Sequence, residues 1–484
     1  MKRTFTHIDH VKAAKKWQMP TVDPVVYDTA IVGCLNNSDN TPSFPHIFDW
    51  LVTQQDSDGT WGSRYWHAYD RLVNTLAAIR CLYQAQIASD TIERAVTQIP
   101  NLLARLKDDD HETVAFELIA PALLDWCYHR GLPVPLDTLP DERHRRIQRL
   151  KSRTLHTSIF SLESLDDIPL ETAHWVSTYG SMFASPSAAA GYLMQDPDHL
   201  VLRKHLTWLA SLNKGGIPAV HPLHTFNAAW QCWYLDLVGQ GYSRKAQNLR
   251  NQVIRSWTTK GASFSDDFPI VDADDTALSF VIQSNGGKKL DINVFAPYMT
   301  SDGARCFPHE FNPSVSANIH ILLALRTVAP SAQRDTWISV VLQFLKKILL
   351  QQSNGLLTDK WHVSPFYATS RAIIATHELD TTLCQKLTQT LLEHQRVDGS
   401  WGYKEGTAEE TSYALLALCL TTPTLNWQSI SSGATALKRL YYQPWPAQWI
   451  GKSLYLPHQV VASAIYAAQQ LAENIQHKQL SIYV

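Results

Sequence analysis

No window of this chain approaches about 18 uninterrupted apolar residues, so no membrane-spanning helix is expected. Lys2, Arg3, Lys12, Lys15 and Lys16 near the start are followed by no apolar stretch, which excludes a secretory signal there. Cysteine is sparse: seven residues, odd in number, scattered and without a Cys-x-x-Cys pair. That pattern argues against a disulfide framework and for reduced thiols in the cytoplasm. Lys plus Arg total 42 against 44 Asp plus Glu, a net charge of -2, so nothing points to nucleic acid as a partner. Strand signals are few, and regular alternation of strand and helix is missing. What the chain does have is length, 484 residues with 45% hydrophobic content, enough for roughly two to four domains with sizeable cores. It also has an excess of aromatic residues: 16 Trp, 18 Tyr and 15 Phe.

A Gly-x-Trp punctuation recurs. Gln55 to Trp61 and Gln395 to Trp401 both spell Gln-x-x-x-Gly-x-Trp, with degenerate copies around Gly180, Gly261, Gly303 and Gly355. The glycines at 261, 303, 355 and 399 are 42, 52 and 44 residues apart, a period that suits one helical hairpin per repeat. Between them, Leu72–Leu82, Ala317–Leu325 and Tyr413–Leu420 carry apolar residues at the 3/4 spacing of helices. The expected fold is therefore all-α, with stacked helix pairs forming α/α barrels. Trp61 and Trp401 are expected to stack between hairpins.

Asp272, Asp274 and Asp275 put three carboxyls into Ile270-Val271-Asp272-Ala273-Asp274-Asp275-Thr276-Ala277-Leu278, between apolar neighbours. Carboxyls that close cannot all ionise, so at least one should stay protonated at neutral pH. A neutral carboxylic acid in a dry pocket is a proton donor for a weak base such as an alkene. Two other readings stand beside that one. Asp is favoured at helix N-caps, and Asp-x-Asp-x-Thr also matches the nucleophile loop of dehalogenase-type phosphatases, which would need a parallel sheet.

Helix pairs, Gln-x-x-x-Gly-x-Trp turns and Asp-x-Asp-Asp together resemble the class II terpene cyclases, and more narrowly the two-domain bacterial diterpene cyclases of copalyl, halimadienyl or kolavenyl diphosphate type. Further matching segments include Tyr27-Asp28-Thr29-Ala30, Asp70-Arg71-Leu72, Ser185-Pro186-Ser187-Ala188, Asp359-Lys360-Trp361, Ala408-Glu409-Glu410-Thr411 and Trp449-Ile450-Gly451-Lys452. The resemblance implies two α/α barrels, with a γ domain at about residues 28–240 inserted in a β domain of residues 1–27 plus 241–484. It implies no third domain, no plastid transit peptide and a bacterial-type cytoplasmic enzyme.

The implied chemistry is protonation of geranylgeranyl diphosphate by Asp274, aided by Asp272 and Asp275, with cyclisation to a bicyclic product that keeps its diphosphate. Farnesyl diphosphate is the alternative substrate, and a helical scaffold or protein prenyltransferase subunit the alternative of another class. Trp230, Trp257, Phe307, Trp361, Phe366 and Tyr367 are candidates to face the carbocation, although each could equally be core. In plant ent-copalyl synthases a histidine and an asparagine position the terminating water; the matching positions here are Phe160 and Ala219. Neither accepts a proton, which favours a rearranged halimadienyl or kolavenyl skeleton, with His221 as a replacement base or a packed histidine. Asp108, Asp109 and Glu112 resemble the acidic motif that holds Mg²⁺ with the diphosphate, or form a solvated acidic loop. Lys151, Arg153, Lys360, Arg371 and Lys452 are candidate diphosphate ligands. No stable membrane insertion is expected, and a class I synthase or a phosphatase could act on the product.

Overall fold

The computed structural model describes residues 17, 19–135, 157–165 and 175–480. Among the described residues the chain is helical, with two short antiparallel hairpins, β1–β2 (Met299–Thr300, Gly303–Ala304) and β3–β4 (Trp449–Ile450, Leu454–Tyr455). It divides into two compact units. Unit 1 is Met1–Leu223 with Asp267–Ile270 and Trp449–Leu456; unit 2 is His224–Asp266, Val271–Gln448 and Pro457–Val484.

In unit 2 six helices close a ring: α8 (His224–Leu237), α10 (Ala273–Asn285), α11 (Val315–Arg326), α13 (Pro365–Thr376), α15 (Ala408–Thr421) and α17 (His458–Leu480), each packed on the next and α17 on α8. Outside them lie α9 (Arg244–Ser256), α12 (Ala332–Gln351), α14 (Thr381–Glu393) and α16 (Trp427–Leu440). The sequence explains the two layers. Every residue of α13 is buried, whereas α14 buries Leu383, Cys384, Leu387, Thr388 and Leu391, a single stripe. A helix apolar on all sides belongs inside, and one with a single apolar stripe belongs on the outer layer.

Unit 1 repeats the plan on a smaller scale. Its inner ring is α1 (Val26–Gly33), α3 (Ala68–Gln84), α5 (Phe116–Tyr128), the 3-10 segment Thr157–Ser164 and α6 (Pro186–Leu193). Helices α2 (His46–Thr53), α4 (Ser89–Ala104) and α7 (Leu200–Leu212) lie outside. Two α/α barrels are thus present.

The division falls at other points than expected. Helix α8 packs on α9, α10 and α17 and so belongs to the ring of unit 2, not to a unit ending at residue 240. Tyr27 takes its place in unit 1, its backbone N–H donating to Asn74 and its hydroxyl to Glu163.

The repeat is real in three dimensions. All six punctuating glycines, 59, 180, 261, 303, 355 and 399, have positive φ. At Gly399 a Cβ would also meet the Ser432 carbonyl at 2.6 Å, so glycine is required twice over. In both full motifs the glutamine amide donates to the glycine carbonyl and to the next outer helix, Gln55 to Thr91 and Gln395 to Ser429. The indoles of Trp61 and Trp401 are fully buried and donate to Leu51 and Leu391.

Candidate active site

One hydrogen bond fixes the register of five of the six repeats, those at Gly59, Gly261, Gly303, Gly355 and Gly399. Just after the turn glycine, a backbone N–H reaches a side chain near the head of the following inner helix: Trp61 to Thr75, Ala262 to Thr276, Ala304 to Asn318, Leu357 to Thr369 and Trp401 to Thr411. The Asp-x-Asp-Asp motif therefore heads α10 at a defined level of the barrel. Asp272 is its N-cap, accepting from Asp275 N–H at 2.8 Å. The capping reading is correct for Asp272, and it coexists with the chemical one because Asp274 is left free of that duty.

Asp274 is the one member of the trio whose side chain keeps some exposure, 17%. His320 of α11 meets its Oδ1 at 2.9 Å through Nδ1. A carboxylate oxygen can only accept, so Nδ1 carries the hydrogen. Asp274 Oδ2 and His320 Nε2 are buried and make no hydrogen bond of normal geometry, although Cys306 and Ser316 also act on the Asp274 carboxyl.

The electrostatics differ from the expectation that Asp274 itself is the uncharged acid at rest. Burial pushes the Asp274 carboxyl up, but the hydrogen bond and charge of His320, with Cys306 and Ser316, reverse this and hold it below the ordinary range. Burial and the Asp275 and Asp274 charges push Asp272 well above that range, and burial with the Asp274 charge takes Asp275 up to about 7. Such carboxyls titrate as a group. Burial thus favours the protonated form at Asp272 and Asp275 more than at Asp274.

The remaining candidates are placed unevenly. Trp230 and Tyr367 lie inside the ring of unit 2, Trp230 with its ring 5.5 Å from that of His320. Phe366 is buried against His394, and Trp257, half-buried, packs on Phe280. Phe307 and Trp361 are half-buried, each adjoining a group that meets Asp274, Phe307 next to Cys306 and Trp361 two residues after Asp359, whose charge state Asp274 perturbs.

Lys360 is half-exposed and ion-paired with Glu310 at 2.5 Å. Lys452 does not fit a diphosphate role: it is 2% exposed, and its ammonium bonds Glu163, Ser185 and Ser187, each at 2.7 Å. All three of its donors are used inside unit 1. Arg371 is likewise shut in, 1% exposed. Lys151 and Arg153 lie outside the described residues.

Phe160, under the Lys452 ammonium at 4.7 Å, and the buried Ala219 offer no base. His221 is buried, joined to His205 at 2.9 Å and packed on Trp208, the packed alternative. Asp108, Asp109 and Glu112 do not converge. Asp108 pairs with Arg105, and Asp109 accepts from Ala68 N–H at the head of α3. Among the described residues the one trio of His, Cys or acid side chains close enough to share an ion is Asp272, Asp274 and Cys306.

Sequence reasoning missed His320, and it placed the carboxyls of α15 in a matching segment without giving them a role. By the shared hydrogen-bond register Glu409 and Glu410 occupy the places of Asp274 and Asp275, and α15 stands three places from α10 around the ring of six, across the barrel. Ala273-Asp-Asp-Thr276 against Ala408-Glu-Glu-Thr411 is the signal that could have revealed them. Glu409 also has a histidine, His362 at 3.2 Å.

No protein-family model matches the chain. It is 29% identical to a type B diterpene cyclase of Mycobacterium tuberculosis over 94% of this chain and 96% of that protein. It is 28% identical to a chloroplastic ent-copalyl diphosphate synthase of Salvia miltiorrhiza over 70% of this chain, but spans only 44% of that relative. Among solved structures, ent-copalyl diphosphate synthase from Streptomyces platensis superposes with a TM-score of 0.74 at 24% identity, covering 96% of this chain and all of the other. The Arabidopsis thaliana ent-copalyl diphosphate synthase gives 0.71 at 22% identity over 95% of this chain and 63% of that one. The fold is shared with both.

Proposed function

We infer that this chain, similar along nearly its whole length to class II terpene cyclases, is a diterpene cyclase that protonates geranylgeranyl diphosphate and returns a bicyclic diphosphate. One observation carries the reading: three buried carboxyls at the head of one inner helix, of which Asp274 alone is partly exposed, anchored through one oxygen by His320 and with the other oxygen in no hydrogen bond of normal geometry. The shared proton leaves through Asp274 Oδ2 to the terminal alkene, whose electron pair forms the new C–H bond and leaves a tertiary carbocation. A depressed pKa suits this step, because protonating an alkene needs a strong acid, while Asp272 and Asp275 keep a proton at hand. Each ring closure consumes one further alkene, and loss of a proton from carbon ends the sequence. The sum is an isomerisation with the diphosphate retained.

A rearranged halimadienyl or kolavenyl skeleton is the finer proposal. Phe160 and Ala219 supply no base and His221 is enclosed by His205 and Trp208, which supports a longer-lived cation and hydride or methyl shifts before deprotonation. Mg²⁺ enters as an ion carried by the substrate diphosphate, taking at most one or two carboxylates such as Asp108 or Glu112.

The test is incubation with geranylgeranyl and farnesyl diphosphates, phosphatase treatment, then mass spectrometry and NMR. Bicyclic alcohols from the longer substrate, lost by a factor of about 10³ in Asp274→Asn, are expected. Release of diphosphate without phosphatase, or wild-type turnover in Asp274→Asn, overturns the function; unrearranged ent-copalyl diphosphate overturns the skeleton alone.

A further inference from the structure

Arg371 is the least conventional group inside unit 2. It projects from α13 toward α8, three places away around the ring. Its guanidinium lies over the rings of Trp230 at 4.7 Å, Trp233 at 4.6 Å, Tyr413 at 4.8 Å, Tyr234 at 5.3 Å and Tyr367 at 5.5 Å. It donates through Nη2 to the Tyr234 hydroxyl. Nε and Nη1 meet no acceptor, although the residue is only 1% exposed.

A buried cation normally finds a carboxylate or pays a heavy desolvation cost. Here Glu409 is held by Tyr413 and His362 instead. Five aromatic faces offset part of that cost, yet methionine or leucine would fill the same space with no orphan donors. A local rule broken this plainly inside a barrel signals function.

The reaction supplies a use for it. A carbocation is drawn to aromatic faces, and Trp230 touches both Arg371 and His320, which in turn holds Asp274. Without Arg371, that wall of rings would attract the first cation and hold it beside the newly formed Asp274 carboxylate, where it could return its proton. With Arg371 in place, the same rings are already occupied by a positive charge that cannot be neutralised by deprotonation.

We propose that Arg371 is a specificity-determining residue: a fixed positive charge that claims the aromatic wall of unit 2 and drives the carbocation away from Asp274, along the prenyl chain. This rests on the cyclase reading above. It also reassigns Trp230 and Tyr367 from cation stabilisers to partners of Arg371, and leaves Phe307 as the better ring for the substrate.

The experiment compares two unreactive prenyl diphosphate analogues by calorimetry. One carries an ammonium nitrogen at the carbon that becomes the first cation; the other is its uncharged hydrocarbon counterpart. In Arg371→Gln the preference for the ammonium analogue over the neutral one should rise about tenfold relative to wild type, and in Arg371→Lys it should not change. The products of Arg371→Gln should shift toward monocyclic, early-deprotonated species. Because the readout is a ratio on one protein preparation, a modest loss of stability cancels. Should Gln not be accommodated, as judged by the melting transition, Arg371→Met takes its place. An unchanged ratio in the neutral variant, or an equal gain in Arg371→Lys, overturns the proposal. Failure of the wild type to bind either analogue overturns the cyclase reading instead, and this proposal with it.

Discussion

His320 sets the strength of the acid. Burial pushes the Asp274 proton affinity up, and the imidazole is the largest influence pulling it down. Replacing it leaves Asp274 a weaker acid that stays protonated to higher pH. His320→Ala should therefore lower kcat by about 10²-fold, within the usual range for a group that serves proton transfer, while the alkaline limb of the pH profile moves upward. His320→Gln, which can still donate to Oδ1 without the charge, should fall between the two. A profile unmoved in His320→Ala would show that the imidazole is only packing. The residue was hard to find in advance. In Asn318-Ile319-His320-Ile321-Leu322 it is a lone histidine on an apolar helix, and its contact with Asp274 spans 46 residues. Glu409, by contrast, was legible, because Ala-Glu-Glu-Thr repeats Ala-Asp-Asp-Thr one barrel diameter away.

At the level of the element, the β3–β4 hairpin delivers Lys452 into the ring of unit 1, where it holds the 3-10 segment through Glu163 and the head of α6 through Ser185 and Ser187. Removing one partner of a buried pair leaves an uncompensated charge, which costs about 3–5 kcal/mol. Lys452→Met should destabilise by that amount in urea or thermal melts, and the double variant Lys452→Met, Glu163→Gln should recover most of it. A surface anion-binding lysine would show neither effect. Glu163 lies 289 residues from Lys452, so no local pattern could pair them, and a lysine in a matched segment was read as a ligand. The inner helices α3, α11 and α15 were readable from their apolar spacing, whereas no outer helix was singled out. The boundary at His224 was not readable, because α8 resembles every other inner helix and only its neighbours in space assign it to unit 2.

The whole molecule carries an unusual load of buried acid. Burial raises Asp28 to about 7 and Asp70 to about 6 in unit 1, and raises Asp272, Asp359 and Glu410 in unit 2, where Asp275 reaches about 7. Between the ordinary carboxyl pKa near 4 and these folded values, the native state binds more protons than the unfolded chain, so stability must fall as pH rises. His205, lowered to about 3 chiefly by burial, acts oppositely: its contribution is present above about pH 6.5 and is lost as pH falls. The two effects compete around neutrality, where the raised carboxyls outnumber the lowered imidazoles of His205 and His224 and so dominate. Melting temperature should accordingly drop between pH 6.5 and 7.5 and level off above, by an amount that Asp28→Asn reduces if that variant folds as well as the parent. A Tm that instead climbs through this interval in calorimetry would mean that the buried carboxyls are ionised in the native state. The proton held ready beside Asp274 would then be missing as well, since the burial that raises Asp28 is the same force that raises Asp272 and Asp275.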